Sequence, residues 1–258
     1  MPKAKAHGRF AWHELSTPNP DAAKSFYPAV TSWTTAPMEG SDDYTLWLND
    51  TTPLGGVTTL PEELKMRGVP PHWLAYVSVY DVDESVRLAK TLGGEVRFGP
   101  MEIPNVGAWA VIGDPQGAAL GLFEPANAPP GSGGMPRRGE FSWHELMTTD
   151  YKAAFEFYRA LLKWERISEA DMGPLGMYFM FGQQGQTYGG MFNRTPEMPP
   201  PNWLPYVRVD DVKTATDAVV KTGGTVMNGP MEVPGGDWIA QCMDAQGAPF
   251  ALHQLKAP

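Results

Sequence analysis

The sequence repeats itself once, with an offset of about 130 residues. Phe10-Ala-Trp-His-Glu-Leu15 recurs as Phe141-Ser-Trp-His-Glu-Leu146, and Gly99-Pro-Met-Glu102 recurs as Gly229-Pro-Met-Glu232. Other blocks, such as Gly93-Gly94-Glu-Val96, return in the same order along the second half of the chain. A long period kept over so many blocks predicts two copies of one structural unit.

A segment rich in Pro, Gly and Ser lies between the two copies, from residue 126 to residue 138. Such a composition is typical of a linker, because it forms neither a helix nor a packed strand. We therefore predict a first domain over residues 1–125, this linker, and a second domain over residues 139–258.

Each copy divides again into two similar parts. Residues 9–16 and 43–49 show the alternation of strands, and residues 19–30 between them are typical of a helix. The pattern restarts with a strand at residue 73 and a helix over residues 81–92, and further strands follow. A strand, a helix and several strands, repeated four times, predict an α+β protein with antiparallel-rich sheets rather than a doubly wound nucleotide fold.

The composition indicates a protein with a core and without the usual signs of a nucleic-acid or membrane partner. Hydrophobic residues make up 42% of the chain and charged residues 19%, the net charge is −9, and no basic run exceeds Arg137-Arg138. Cys242 is the single cysteine, which rules out an intrachain disulfide. No apolar stretch follows the basic start, so we expect a soluble, cytoplasmic protein.

The order of four motifs carries a family resemblance: Trp-His-Glu-Leu, Asp-Ala-Ala-x-x-Phe-Tyr, Gly-Gly, and Asp-Pro-x-Gly before a last strand. This order resembles the vicinal oxygen chelate superfamily, which contains glyoxalases, bleomycin-resistance proteins and extradiol dioxygenases, and in particular its tandem two-domain members. The resemblance covers residues 8–125 and 139–256. It implies four β-α-β-β-β modules that form two half-open barrel domains, each with a small-molecule cleft, in a monomer or homodimer.

The same resemblance implies where metal-using members would place their ligands. None of the residues at those points in this sequence carries an imidazole, carboxylate or thiolate. We therefore expect no cofactor. If the motif aligns one residue further along, His13 and His144 would instead occupy the ligand positions and could bind Fe, Ni, Zn or Mn. The positions concerned are Trp12, Gly56-Val57, Leu74 and Gly121 in the first copy, and Trp143, Gly190-Met191, Leu204 and Ala251 in the second.

Glu14 and Glu145 are the first catalytic candidates, because strand alternation puts Glu14 on the same face as Trp12. A carboxyl group beside an indole in a half-closed cleft has a raised pKa and can act as a general acid or base. The alternative is a structural carboxylate that binds backbone groups or an arginine. His13 and His144 point the other way, toward the helices, where a hydrogen-bonded core histidine is the alternative to catalysis.

His253 is the third catalytic candidate, because it has no counterpart in the first copy, where Phe123 stands. It lies two residues after Ala251 and so shares the cleft face, although a surface imidazole is the alternative. Aromatic side chains on the strands are predicted to bind the substrate, although most aromatics of small domains belong to the core. These predicted substrate-binding residues are Trp12, Tyr44, Trp47, Trp109, Phe123, Trp143, Tyr178 and Trp238.

Two functions of different class follow from these residues. The first is a metal-independent lyase or isomerase that acts on a small oxygenated molecule through Glu14, Glu145 and His253. The second is a non-catalytic small-molecule binder resembling bleomycin-resistance proteins, which the acidic charge and the indoles favour. A further alternative is a divalent-metal-dependent glyoxalase or dioxygenase.

Overall fold

A computed structural model describes residues 7–41, 43–127 and 135–256. The first half contains eight strands and three helices. In chain order they are β1 (Phe10–Thr17), α1 (Pro20–Thr31), β2 (Thr34–Pro37), β3 (Tyr44–Asn49), β4 (Thr52–Thr59), α2 (Glu62–Met66), β5 (His72–Ser78), α3 (Val82–Thr91), β6 (Glu95–Ile103), β7 (Gly107–Gly113) and β8 (Ala119–Pro125).

The second half repeats this order, with a 3₁₀ turn over Gly173–Leu175 and without a counterpart of α2 among the described residues. Its elements are β9 (Phe141–Thr148), α4 (Tyr151–Leu162), β10 (Glu165–Asp171), β11 (Met177–Gln183), β12 (Gln186–Asn193), β13 (Asn202–Arg208), α5 (Val212–Lys221), β14 (Thr225–Glu232), β15 (Trp238–Met243) and β16 (Pro249–Gln254).

The strands form two eight-stranded sheets, one from each half of the sequence. The strand orders are β2-β3-β4-β1-β5-β8-β7-β6 and β10-β11-β12-β9-β13-β16-β15-β14. Parallel pairs such as β1 with β4 lie beside antiparallel pairs such as β3 with β4. The predicted α+β class of four β-α-β-β-β modules is therefore confirmed, and among the described strands each sheet is open rather than a closed barrel.

The helices α1 and α3 begin next to side chains that cap them. Asn19 accepts a hydrogen bond from the backbone N–H of Ala22 at the start of α1. Asp81 accepts one from Glu84 at the start of α3, at an oxygen–nitrogen distance of 2.7 Å. These side chains satisfy backbone donors that have no partner inside the helix, which is why the elements begin at these residues.

Two compact units each combine parts of both sequence halves. Among the described residues, unit 1 contains residues 7–12, 75–127 and 144–203, and unit 2 contains the remainder. The apolar core of unit 1 lies under α3 and α4, which pack on each other, and that of unit 2 lies under α1 and α5. The division into residues 1–125, 126–138 and 139–258 stays a prediction, and residues 128–134 of the linker lie outside the described residues.

A buried hydrogen-bonded chain explains two of the repeated motifs. In unit 1, Trp203 Nε1 donates to Tyr158 Oη at 3.1 Å, and Tyr158 Oη donates to Asp114 Oδ2 at 3.0 Å. Asp114 also accepts from the backbone N–H groups of Gln116 and Ala118, which closes the Asp-Pro-Gln-Gly turn. The aspartate and the tyrosine come from different sequence copies, so this chain joins the copies within one unit.

Unit 2 contains the same arrangement, in which Trp73 donates to Tyr27 and Tyr27 donates to Asp244. Across the part of the chain that the structure describes, no helix combines the length and the apolar character that crossing a membrane requires.

Candidate functional site

A carboxylate and a phenol meet on the face of unit 2 that lies away from its helices. In the pairing of β1 with β4, Leu15 and Val57 face the core, so Glu14 and Gly56, one residue earlier on each strand, face the other way. Tyr44 lies on β3 and donates its hydroxyl proton to Glu14 Oε2 at 2.9 Å. The half-buried glutamate is thus held in one orientation by a side chain that reaches it across β4.

Unit 1 repeats this arrangement. Tyr178 on β11 donates to Glu145 Oε2 at 2.9 Å, and Glu145 is 9% exposed. Gly190 pairs with Glu145 as Gly56 pairs with Glu14. The sequence singled out each glutamate and each tyrosine separately, and the structure brings them together as two glutamate–tyrosine pairs.

The positions that the resemblance assigns to metal ligands do not fit a divalent cation. A β-carbon at Gly56 would lie 2.2 Å from the Tyr44 ring, and one at Gly121 would lie 2.2 Å from the Tyr76 ring. The aromatic rings therefore fill the volume that a longer side chain would need. No cluster of three or more histidine, cysteine or carboxylate side chains suited to a metal occurs among the described residues.

His13 and His144 are buried and stacked on aromatic rings. His13 stacks on Phe141 with 3.5 Å between the ring centroids, and His144 stacks on Phe10 at 3.4 Å. His144 Nδ1 lies 3.3 Å from the carbonyl oxygen of Tyr188. Burial lowers the pKa of the His144 imidazole to about 3, against a small opposing effect of that carbonyl. A neutral imidazole in an apolar setting is thus part of the packing of unit 1.

This lowered pKa predicts that acid weakens the fold through His144. Below its ordinary pKa of 6.5 the unfolded chain takes up a proton that the folded chain refuses until about pH 3, so stability falls as the pH falls through this window. Wild type should lose about 2 kcal/mol more than His144→Phe between pH 7 and pH 5 in urea unfolding. Equal losses in the two proteins would show that His144 is protonated in the native state.

Aromatic side chains cover part of the corresponding face of unit 1. Trp109 on β7 stacks with Phe98 at a centroid distance of 5.0 Å and meets the edge of Tyr76 at 6.2 Å. Phe123 on β8 is paired with Trp109, so both side chains lie on one face. Within the described residues Trp109 Nε1 is buried without a hydrogen-bond acceptor, and Phe98 is 49% exposed.

The matching strands of unit 2 carry Ile239 in place of Trp109 and His253 in place of Phe123, and other polar side chains lie on them as well. Gln241 donates to Tyr206 Oη at 3.1 Å. His253 Nε2 lies 3.1 Å from Asp237 Oδ2, and His253 Nδ1 lies 2.9 Å from Ser142 Oγ. Ser142 and Asp237 were missed by the sequence analysis, although each differs from its counterpart in the first copy, where Ala11 and Gly107 stand.

Two of the predicted substrate-binding residues lie on the wrong face. Trp47 lies three positions after Tyr44 on the same strand, and side chains an odd number of positions apart point to opposite faces. Tyr44 faces Glu14, so Trp47 faces the core of unit 2, where it is fully buried. Trp238 packs on the same core, with the Lys213 ammonium 5.4 Å from its ring. Trp12 and Trp143 are half-buried, two residues before the glutamates, on the glutamate side of their strands.

Two eight-stranded sheets are thus built from repeated β-α-β-β-β modules, and each unit carries a glutamate on the face away from its helices. Residues 141–252 match the Glyoxalase/Bleomycin resistance protein/Dioxygenase superfamily. The first half of the chain repeats the segment that this family model matches.

Two curated relatives match nearly the whole chain. "Putative glyoxylase CFP32" of Mycobacterium bovis is 29% identical over 259 residues, covering 98% of this chain and 97% of its own length. "Anthracycline biosynthesis protein DauV" of Streptomyces sp. (strain C5) is 29% identical over 270 residues, covering 97% and 94%.

Solved structures share the fold at low sequence identity. The Mn(II)-bound glyoxalase from Novosphingobium aromaticivorans has a TM-score of 0.63 at 12% identity, with 98% of this chain and 82% of that chain covered. The 2,3-dioxygenase LapB from Pseudomonas sp. KL28 has a TM-score of 0.67 at 12% identity, with 98% and 94% covered. Homoprotocatechuate 2,3-dioxygenase from Brevibacterium fuscum, in complex with 3,4-dihydroxyphenylacetate, has a TM-score of 0.69 at 11% identity, with 99% and 82% covered. At these identities the likeness is one of fold alone.

Proposed function

We propose that the protein is a metal-independent lyase or isomerase that acts on a small oxygenated organic molecule through its glutamate–tyrosine pairs. The observation that carries this proposal is the 2.9 Å bond from a tyrosine hydroxyl to a glutamate in each unit. The tyrosine rings cover Gly56 and Gly190, two of the positions assigned to metal ligands. Acid–base groups therefore stand where a metal-using protein would hold its cation.

The chemistry proposed for each pair is proton transfer next to a carbonyl group. Glu14 or Glu145 takes a proton from the substrate carbon and returns it to another atom, and the tyrosine keeps the carboxylate in the orientation that this transfer requires. Once the glutamate has taken up the substrate proton it no longer needs the phenol as a donor, and the phenol proton can then bond to the oxyanion that develops on the substrate. His253 is bonded to Ser142 and Asp237 rather than to a glutamate, so this proposal rests on the two pairs.

The test is turnover of hydroxy- and oxo-carbonyl compounds by protein dialysed against a chelator. We expect activity to survive chelation, and Glu14→Gln or Glu145→Gln to lower kcat by about 10²-fold or more. Glu156→Gln, which removes an exposed carboxylate bound to Arg159, is the matched control. Activity that disappears on chelation and returns with Mn²⁺ would contradict metal independence, and full activity with both glutamates replaced would contradict the role of the pairs.

A non-catalytic binder is the second candidate, and the aromatic face of unit 1 favours it. Phe98, Trp109 and Phe123 offer flat apolar surfaces, which suit a planar ligand. The relative named for anthracycline biosynthesis points to the same ligand class, a polycyclic aromatic ketone. Saturable quenching of tryptophan fluorescence by a hydroxyanthraquinone, lost in Trp109→Ala and without product, would support binding alone.

A further inference from the structure

We propose that the second copy carries a serine nucleophile site, in which Ser142 is activated by His253 and Asp237 and reacts with ester carbonyl groups. This site is separate from the glutamate–tyrosine pairs, and all of its residues belong to unit 2. Such a site is recognised by its geometry. The nucleophile Ser142 and the orienting carboxylate of Asp237 each lie within hydrogen-bond distance of the base, His253.

The hydrogen bonds determine which ring nitrogen of His253 is free to act as a base. Asp237 Oδ2 lies 3.1 Å from Nε2, and an ionised carboxylate can only accept, so Nε2 carries the proton. In the neutral ring Nδ1 is then an acceptor. Of the two acceptors within reach of the Ser142 hydroxyl, Nδ1 at 2.9 Å is nearer than the Tyr206 carbonyl oxygen at 3.4 Å, so we assign the hydroxyl proton to Nδ1. Burial lowers the pKa of His253, while Asp237 raises it and Arg208 lowers it, so the direction favours the neutral ring.

Asp237 is itself held in place. Its second oxygen, Oδ1, accepts a hydrogen bond from the backbone N–H of Lys256 at 2.8 Å. The imidazole of His253 is 9% exposed and the carboxylate 31% exposed, so the pair lies at the edge of the buried region. Ser142 is half-buried on β9, which is separated from β16 of His253 by β13.

Arg208 places a positive charge close enough to His253 to act on it electrostatically, and a charge of this sign would favour the oxyanion that develops on the ester. It is paired in register with His253 on the adjacent strand β13. One guanidinium nitrogen donates to the carbonyl oxygen of Pro136, whereas the Nε–H is buried without an acceptor among the residues that the structure describes. A buried cationic donor left unpaired is costly unless a ligand completes its hydrogen bonding.

The first copy lacks every member of this set. At the positions of Ser142, Arg208, Asp237 and His253, the first copy has, in the same order, Ala11, Ser78, Gly107 and Phe123. The copies otherwise share their fold and their glutamate–tyrosine pairs. Three of the changes, at Ser142, Asp237 and His253, meet in one hydrogen-bonded group, and the fourth, at Arg208, lies on the strand next to His253. This indicates a function confined to the second copy.

The reaction follows from these positions. Ser142 Oγ bonds to the carbonyl carbon of an ester while its proton moves to His253 Nδ1. The bond to the alcohol oxygen then breaks, and that oxygen takes the proton from Nδ1. Water next attacks the acyl-serine and gives its proton to Nδ1, the acyl group leaves as a carboxylic acid, and Ser142 recovers its proton. The sum is ester plus water to acid plus alcohol.

The test is labelling of the full chain with a fluorophosphonate, which forms a bond from Ser142 Oγ to phosphorus as fluoride leaves. We expect one adduct, located at Ser142 by peptide mass spectrometry, and a labelling rate lowered about 10²-fold or more in His253→Phe and Asp237→Asn. Ser25→Ala, at an exposed serine of α1, should label like wild type. An adduct absent from Ser142 in the folded wild-type protein, or one formed equally fast in His253→Phe, would overturn the proposal.

The variants can be chosen so that misfolding does not hide the answer. Ser142→Ala and His253→Phe introduce the residues that the first copy already carries at these positions. Ser142→Cys gives a second readout, because His253 should activate the new thiol toward iodoacetamide, whereas burial raises the pKa of Cys242 to about 12. Alkylation no faster at residue 142 than at Cys242 would contradict activation. Neither experiment uses a carbonyl substrate of the glutamate–tyrosine pairs, so the two proposals fail separately.

Discussion

Replacing Asp114 by alanine is expected to lower the free energy of unfolding by about 3–5 kcal/mol. The carboxylate is 3% exposed and accepts from Tyr158 Oη and from the N–H groups of Gln116 and Ala118. Alanine would leave these three donors buried without acceptors, and each such donor costs about 1–3 kcal/mol. Burial also raises the pKa of Asp114, so its own desolvation offsets part of the loss.

Asparagine at position 114 separates the contribution of the bonds to the two backbone donors from that of the bond to Tyr158. Asp114→Asn keeps one carbonyl oxygen for the two backbone donors and should cost about 1–2 kcal/mol. Asp217→Ala removes an exposed carboxylate of α5 and should change stability by less than about 0.5 kcal/mol. Urea unfolding of Asp114→Ala, Asp114→Asn and Asp217→Ala measures the three losses of stability and tests whether they decrease in this order. An alanine variant as stable as Asp217→Ala would show that the turn does not need this carboxylate.

Gly189→Ala is expected to lower the free energy of unfolding by about 3 kcal/mol. A β-carbon at this position would lie 1.9 Å from the carbonyl oxygen of His144, on the strand that pairs with β12. Because the obstacle is backbone, the two strands must separate, and Glu145 is the next residue on the displaced strand. We therefore expect the substitution to change the orientation of Glu145 as well as to lower the stability.

The neighbouring glycine provides the matched comparison. A β-carbon at Gly190 would lie 2.0 Å from the Tyr178 ring, whose far end can rotate away. Gly190→Ala should therefore cost less than Gly189→Ala, yet it should break the bond from Tyr178 to Glu145 and lower turnover as Tyr178→Phe does. Calorimetric unfolding and kcat of both variants test this. Equal stability of the two variants would contradict the placement of His144 beside Gly189.

Much of the fold could be predicted because it depends on local patterns. The offset repeat predicts two copies, and alternation and capping residues such as Asn19 and Asp81 predict the strands and helices close to their observed bounds. The sequence also shows that Gly56 and Gly121, two of the positions that the resemblance assigns to metal ligands, have no side-chain donor atoms. Trp47 and Trp238 were placed on the wrong face because a few aromatic residues on a strand do not reveal which face is buried.

By itself, the sequence determined the duplicated α+β architecture, the starts of α1 and α3 and the side of β1 on which Glu14 lies, because these depend on residues near one another in the chain. Only the tertiary structure decided which groups meet. The bonds from Tyr44 to Glu14 and from Tyr158 to Asp114 join residues 30 and 44 positions apart, and Ser142 reaches His253 across 111 positions. Such contacts depend on strand order and register, so no local pattern determines them.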